Sequence, residues 1–304
     1  MTSKDTQLTA TDSTVGLVFS RLNDYFQLTK PRIVLLELIV AAATACIAAP
    51  YAIDAVVLFH ALAATALVAG SASTGNQILE REVDAKMPRT ADRPLVTGRV
   101  AVWEATLLGL VTLVIGVAWL CLKVNLLTAG LGLASWLLYV VVYTPLKTRT
   151  PLNTAVGAVA GALPLLMGWT ATGQPLSLTA FALAGVLFLW QFPHFMAIAW
   201  IYRDDYQRAG HQMMSVVDPT GWRCGWQAII GALFLIPVSL IPAILPEGRS
   251  PMAYSLWAIA LGSVILALAV RFAVVRDNRT ARQLLKSTLI YLPAWLGVLL
   301  MVSL

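Results

Sequence analysis

The residues with chemical capacity in this 304-residue chain gather in a few polar stretches, the first being GNQILEREVDAKMPRTADRPL, Gly75 to Leu95. Asn76, Glu80 and Asp84 recur there every four residues. On a helix each step of four advances the azimuth by about 400°, so the three share one face, drifting ~40° and rising ~6 Å per step. Glu80 and Asp84 are like charges at i and i+4, which destabilises a helix unless something positive lies between them. Hard oxygen donors in this pattern suit Mg²⁺, which keeps several waters and binds through one or two carboxylates plus a substrate's phosphates. Arg89 and Arg93 follow, and their planar guanidinium forks match phosphate or carboxylate geometry. A plainer reading has the acids capping a helix end and pairing with Arg81, Lys86 or Arg89. Glu82 and Lys86 do stand in the favourable order for such a surface pair. Acids at the edge of an apolar run are expensive to leave unpaired, however, and their single-face spacing favours a site.

The second polar stretch is WQFPHFMAIAWIYRDDYQRAGHQMM, Trp190 to Met214. Pro193 withholds the amide that the Leu189 carbonyl needs, so a kink that opens room beside His194 is expected. Ile198, Tyr202 and Asp205, at +4, +8 and +11, fall on the face of His194. His194 is either a ligand or a satisfied core histidine. Asp204 and Arg208 read as an i, i+4 pair, leaving Asp205 as the acid without an obvious neighbour and the better site candidate. A third stretch, YTPLKTRTPLN from Tyr143 to Asn153, offers Lys147 and Arg149 to an anionic substrate or merely to the inner membrane surface. Glu37, inside an apolar run, is either neutral or paired with a neighbouring segment.

The elements that must position these groups are membrane helices. The chain is 59% hydrophobic and 12% charged, with mean hydropathy +0.77, so lipid is the solvent for most of it. Runs of roughly 20 apolar residues, the length a ~30 Å hydrocarbon slab demands, recur nine times. They cover approximately 33–53, 55–76, 101–121, 125–145, 151–171, 177–201, 225–246, 252–272 and 285–303. The fold class expected is therefore an all-α polytopic membrane protein. With the N-terminus inside, 19 of the 21 Lys and Arg fall on the cytoplasmic side and only Lys123 and Arg249 outside, as the positive-inside tendency requires. The net charge of +6 thus reflects topology and anionic lipid and is no argument for nucleic acid. All three polar stretches lie on the inside face, with the C-terminus outside.

Residues 1–32 are polar. Val15, Phe19, Leu22 and Phe26 repeat at helical spacing after the capping candidates Ser13 and Thr14, which predicts an interfacial helix leading into residues 33–304 as one domain. Asp5, Asp12 and Asp24 argue against a cleaved signal or transit peptide, making a bacterial plasma membrane the simplest setting. Cys46, Cys121 and Cys224 are too scattered for a zinc site or disulfide framework. Walker-type glycine loops, HExxH and GxSxG are absent.

Taken together, LTKPRI (Leu28 to Ile33), the ladder running into MPRTADRPL, YTPLKTRTPLN, GALPLLMGW (Gly161 to Trp169), WQFPHF and DYQRAGHQMM resemble the heme branch of the UbiA-type intramembrane prenyltransferase superfamily over nearly the whole chain. The resemblance implies nine helices around a central cavity, its two acidic motifs facing each other near the cytosolic mouth. It implies Mg²⁺ held by Asn76, Glu80, Asp84 and Asp205, and a farnesyl diphosphate whose diphosphate they grip. It implies transfer of farnesyl to a vinyl group of heme B, giving heme O. Substrate contacts would extend to Arg89, Arg93, Lys147, Arg149, Tyr202, Arg203, Asp204 and Tyr206, with His194 as the axial-ligand candidate and His60 and His211 behind it. A heme A synthase or oxidase-assembly protein is the partner it suggests. Both motifs depart from the superfamily pattern: Glu80 stands where aspartate is usual, and Tyr202 and Tyr206 align with the aspartates of the second motif, leaving Asp204 and Asp205 between them. Prenylation of an aromatic acid or quinone precursor is the alternative within the superfamily. A transporter lined by the ladder is the alternative outside it, though no second copy of the ladder supports repeated halves.

Overall fold

A computed structural model describes residues 18–49, 54–244 and 251–303. Ser13, Thr14 and Val15, and the cations Lys4 and Arg249, lie outside the described residues. A helix over 18–28 (α1) is followed by α2 (Pro31–Ala48), α3 (Ala55–Asp84), α4 (Val102–Lys123) and α5 (Leu126–Trp136). Helix α5 runs through a π-helical segment, Leu137–Tyr143, into the short α6 (Thr144–Leu146). Then come α7 (Asn153–Ala171), α8 (Leu178–Ile201), α9 (Arg203–Ala209), α10 (Met214–Val217), α11 (Trp222–Ile244), α12 (Pro251–Val275) and α13 (Asn278–Ser303).

Among the described residues nine helical segments are long and apolar enough to span a bilayer. The two largest departures from the bounds read off hydropathy are in α3 and α13. Helix α3 continues past residue 76 to Asp84, so the acidic ladder belongs to one unbroken helix. Helix α13 starts at Asn278 rather than 285, because Asp277 caps it: its Oδ1 accepts from Thr280 N at 2.7 Å. Its polar first turns, with Arg279 and Arg282, hide that start from any hydropathy window.

Each spanning segment packs against the next in chain order, and α13 returns to α2, so the nine close into a ring. The ring is not hollow throughout. Helix α7 is the most buried span and crosses to α2. There Gly168 lies so near the α2 backbone that a Cβ would stand 2.0 Å from the Ala41 carbonyl oxygen. Small residues are the usual means of close approach between membrane helices, where dispersion contacts replace a hydrophobic driving force.

A similar approach is made at Pro193. Helix α8 runs continuously through Pro193, and Gly231 of α11 packs onto this stretch, where a Cβ would meet Phe192 Cβ at 2.7 Å and the Leu189 carbonyl oxygen at 3.1 Å. Gly168→Val should force α2 and α7 apart and cost about 1–3 kcal/mol by overpacking. Thermal unfolding of the purified protein in detergent measures this, and an unchanged midpoint would refute the contact.

Candidate active site

The ladder sits at the C-terminal end of α3, and Asn76, Glu80 and Asp84 are 0%, 7% and 1% exposed. Charges so placed require partners, since desolvation of an ion costs several kcal/mol unless it is compensated. Each acid has its own cation. Lys147 Nζ stands 2.8 Å from Glu80 Oε1, and Arg93 pairs with Asp84. Lys30 Nζ donates to Asn76 Oδ1 at 2.6 Å, while Asn76 Nδ2 donates to Thr144 Oγ1 at 3.0 Å.

Local backbone features deliver these cations. Lys30 precedes Pro31, which disfavours the right-handed helical region for it, and it adopts a left-handed conformation (φ 49°). Strain of this kind in a non-glycine residue concentrates at functional sites. The π-helical segment widens one turn, an irregularity common at such sites. Thr144 Oγ1 then donates to the Tyr139 carbonyl at 2.8 Å, and Lys147 Nζ lies 4.6 Å from the Tyr143 ring centroid. Asn153 Nδ2 reaches both the Thr150 carbonyl (2.7 Å) and the Gln212 carbonyl (3.2 Å). Gln212 N in turn donates to the Lys147 carbonyl at 2.6 Å, so two loops are stitched together under the ladder.

These groups line a cavity of ≈ 780 Å³ at one end of the ring. Asn76, Glu80, Asp84, Arg89, Arg93, Lys147 and Tyr206 all reach it, as does the apolar surface of Phe26, Ile33, Phe195 and Ile198. Lys30, Arg32, Arg89, Arg93 and Lys147 outnumber the two carboxylates of the lining, so the cavity carries excess positive charge suited to a polyanion. Burial, and then the positive charge of Arg93 and Lys147, brings the Lys30 pKa down to about 7. Lys147 moves the other way: burial opposes its charge, but Tyr143 and Glu80 together outweigh burial and raise its pKa.

Among the described residues no three His, Cys, Asp or Glu side chains converge as a metal cluster. A divalent cation would therefore share the ladder with ligand oxygens. The donors fit such an ion: all three are hard oxygens, and the buried Glu80 Oε1 has the Lys147 ammonium as its partner in the absence of one.

The second polar stretch contributes differently from expectation. Helix α8 ends at Ile201, and Tyr202 (φ −107°, ψ 22°) breaks the path before α9, so the face of His194 does not continue to Asp205. His194 Nδ1 bonds Thr288 Oγ1 at 3.0 Å and the ring stacks on Trp190 at 4.8 Å. It thus meets α13 instead of lining the cavity, the placement of a core histidine. Asp205, expected to be free, pairs with Arg208 and lies 4.0 Å from Arg89 Nε, whereas Asp204 is exposed beside Arg203. Asp205 is absent from the cavity lining, so the structure does not bring it to the three ladder oxygens. Its contact, with the Tyr202 and Tyr206 rings each 5.1 Å from the Arg89 guanidinium, holds Arg89 at the rim. Arg203 turns to the Trp200 carbonyl and Asn278, and Arg149 is exposed away from the cavity. His60 bonds Trp119 Nε1 far along α3 from the ladder. Sequence reasoning passed over Lys30, Tyr143 and Asn153 as site residues. The signal for Lys30 was its place before Pro31.

The UbiA prenyltransferase family matches residues 38–296. The chain belongs to that family. It is 42% identical over 286 residues to the protoheme IX farnesyltransferase of Rhodopirellula baltica, covering 90% of this chain and 97% of that one. It is 41% identical to the protein of the same name from Solibacter usitatus, covering 92% and 98%. A digeranylgeranylglyceryl phosphate synthase superposes with a TM-score of 0.80 at 15% identity, over 93% of this chain and 99% of that one. A UbiA homolog from Archaeoglobus fulgidus, solved with GPP and Mg²⁺, superposes at 0.70 with 18% identity, over 91% and 99%. These structures establish the fold of this prenyltransferase: an integral membrane protein with its polar cavity at one end of the helical ring.

Two outcomes follow from the pairing. Lys147→Ala strands the Glu80 charge and should cost about 3–5 kcal/mol, part of it recovered by adding Glu80→Gln. Thermal unfolding of the single and double variants decides this, and a double variant no more stable than the single would refute the ion pair. Burial, as the largest cause, lowers the His211 pKa from 6.5 to about 4. Above pH 6.5 the ring is neutral in both states, and as pH falls toward 4 only the unfolded chain gains the proton, so stability declines over that window. His211→Gln should show the shallower decline between these values, and parallel curves would refute it.

Proposed function

We propose that this chain transfers a farnesyl group from farnesyl diphosphate to a vinyl group of heme B, giving heme O and diphosphate. The observation that carries the proposal is the cationic, carboxylate-lined cavity opening onto apolar surface, in a chain about 40% identical over most of its length to protoheme IX farnesyltransferases. The choice of heme over an aromatic acid rests on those relatives. Residues 33–304 would act as one catalytic domain and 1–32 as its interfacial leader. The setting proposed is a bacterial inner membrane, with the N-terminus and cavity mouth cytoplasmic and the C-terminus outside, supported by the distribution of Lys and Arg.

Lys30, Arg93 and Lys147 bind and orient the diphosphate, with Arg89 at the rim, and their charge stabilises the leaving group as the allylic C–O bond breaks and its electron pair departs with oxygen. Asn76, Glu80 and Asp84 would hold Mg²⁺, which when bound supplies further neutralisation of that oxygen. Phe26, Ile33, Phe195 and Ile198 exclude water from the prenyl cation until the vinyl π electrons form the new C–C bond. Water then adds to the resulting porphyrin-side cation and loses a proton, leaving the hydroxyethylfarnesyl group. Because Lys147 and Arg93 engage the acids in the structure, donor binding would loosen these pairs and exchange carboxylate partners for phosphate.

Purified protein incubated with heme B, farnesyl diphosphate and Mg²⁺ should yield a heme heavier by one farnesyl and one hydroxyl group, resolved by mass spectrometry. The product should vanish with EDTA and fall at least ~100-fold in Asp84→Ala, the order expected on losing a group that stabilises developing charge. Transfer to a phenolic acid and never to heme would sink the proposal.

A further inference from the structure

Helix α1 is joined to the α3–α4 connection through one guanidinium. Arg99 Nε donates to Asp24 Oδ1 at 3.0 Å, Nη1 to Asp92 Oδ1 at 3.0 Å and Nη2 to the Asp92 carbonyl at 2.8 Å. Arg21, one turn before Asp24, donates to the Arg99 carbonyl at 3.2 Å and pairs with Glu104. Beneath this polar layer Leu28 is fully buried among Leu95, Val100 and Ala105. Gln77 Nε2 ties the Leu28 carbonyl to α3 at 2.9 Å. On the other side of α1, Val18, Phe19 and Leu22 are exposed, an apolar stripe suited to the lipid interface.

The two segments that Arg99 joins both deliver cations to the ladder. Asp92 is the chain neighbour of Arg93, whose guanidinium meets Asp84, and α1 leads directly into Lys30, which meets Asn76. The Asp92 side chain is 96% exposed, so its ion pair adds little stability. The Asp92 carbonyl and the buried Asp24 instead use the fork geometrically, as two planar anchors that a single lysine could not duplicate.

We propose that Arg99 is a positioning residue, locking α1 to the α3–α4 connection through Asp24 and Asp92 and so setting Lys30 and Arg93 against the diphosphate of the prenyl donor. This rests on the prenyl-transfer reading above.

The test measures Mg·pyrophosphate affinity by calorimetry alongside steady-state kinetics, on full-length protein whose folded fraction is checked by gel filtration. Arg99→Gln should raise both the pyrophosphate Kd and the donor KM about 10-fold, as expected for loss of a bidentate anchor. The acceptor KM should stay within about 2-fold, while kcat falls, because the displaced cations also stabilise the departing diphosphate. Arg99→Lys, which keeps the charge and loses the fork, should recover only a small part of the affinity, and the exposed Arg279→Gln should match wild type. Unchanged pyrophosphate affinity in folded Arg99→Gln would overturn the proposal. So would full recovery by Arg99→Lys, which would make the effect one of charge alone, or an equal loss of acceptor binding, which would make it a general defect. Wild-type protein that fails to bind Mg·pyrophosphate at all would overturn the donor reading and this one with it.

Discussion

Burying Glu80 and Asp84 on one helical face near the end of a spanning helix is the constraint from which the cavity half of the molecule follows. Two like charges four residues apart repel each other, and both are nearly excluded from water. The chain meets this with cations from three distant segments: Lys30 before α2, Arg93 after α3 and Lys147 after the π-helical turn. Those segments must converge, which fixes how α1, the α3–α4 connection and the Tyr143–Asn153 loop are placed. The other half answers to a different rule, the close approach of small residues such as Gly168 against α2.

This division suits prenyl transfer. A site that binds a polyanion and releases it needs positive charge prepared in advance, yet unpaired positive charge is as costly as unpaired negative charge at this depth. Pairing each cation with a carboxylate or amide of the ladder keeps the empty cavity tolerable. Binding a diphosphate would then exchange partners more than create charge. Such preorganisation, with apolar walls beyond the charged end, is the arrangement that favours ionising an allylic C–O bond while sheltering the cation from water.

The second polar stretch shows a division of labour that its composition conceals. Of its acids, Asp205 steadies Arg89 with Arg208 as a second partner, and Asp204 faces solvent. Its tyrosines do the aligning: Tyr202 and Tyr206 clamp the Arg89 guanidinium between their rings.

The sequence by itself determined the number of spanning segments, the gathering of the polar stretches at one common end, and the co-facial ladder. These are local properties: apolar length, charge distribution and the 3.6-residue period depend on nothing distant in the chain. Family membership was legible too, because it rests on several motifs in order. What only the tertiary structure decided was partnership. That Lys147 meets Glu80 across 67 residues, that Asp205 pairs with Arg208 rather than leaving it to Asp204, and that His194 turns to Thr288 depend on where α8 stops and how the helices close their ring. One break at Tyr202 rotates everything beyond it off the face of His194, and such a break has no periodic signature. Spacing can say which side chains share a face; the packing of the other helices decides what that face meets.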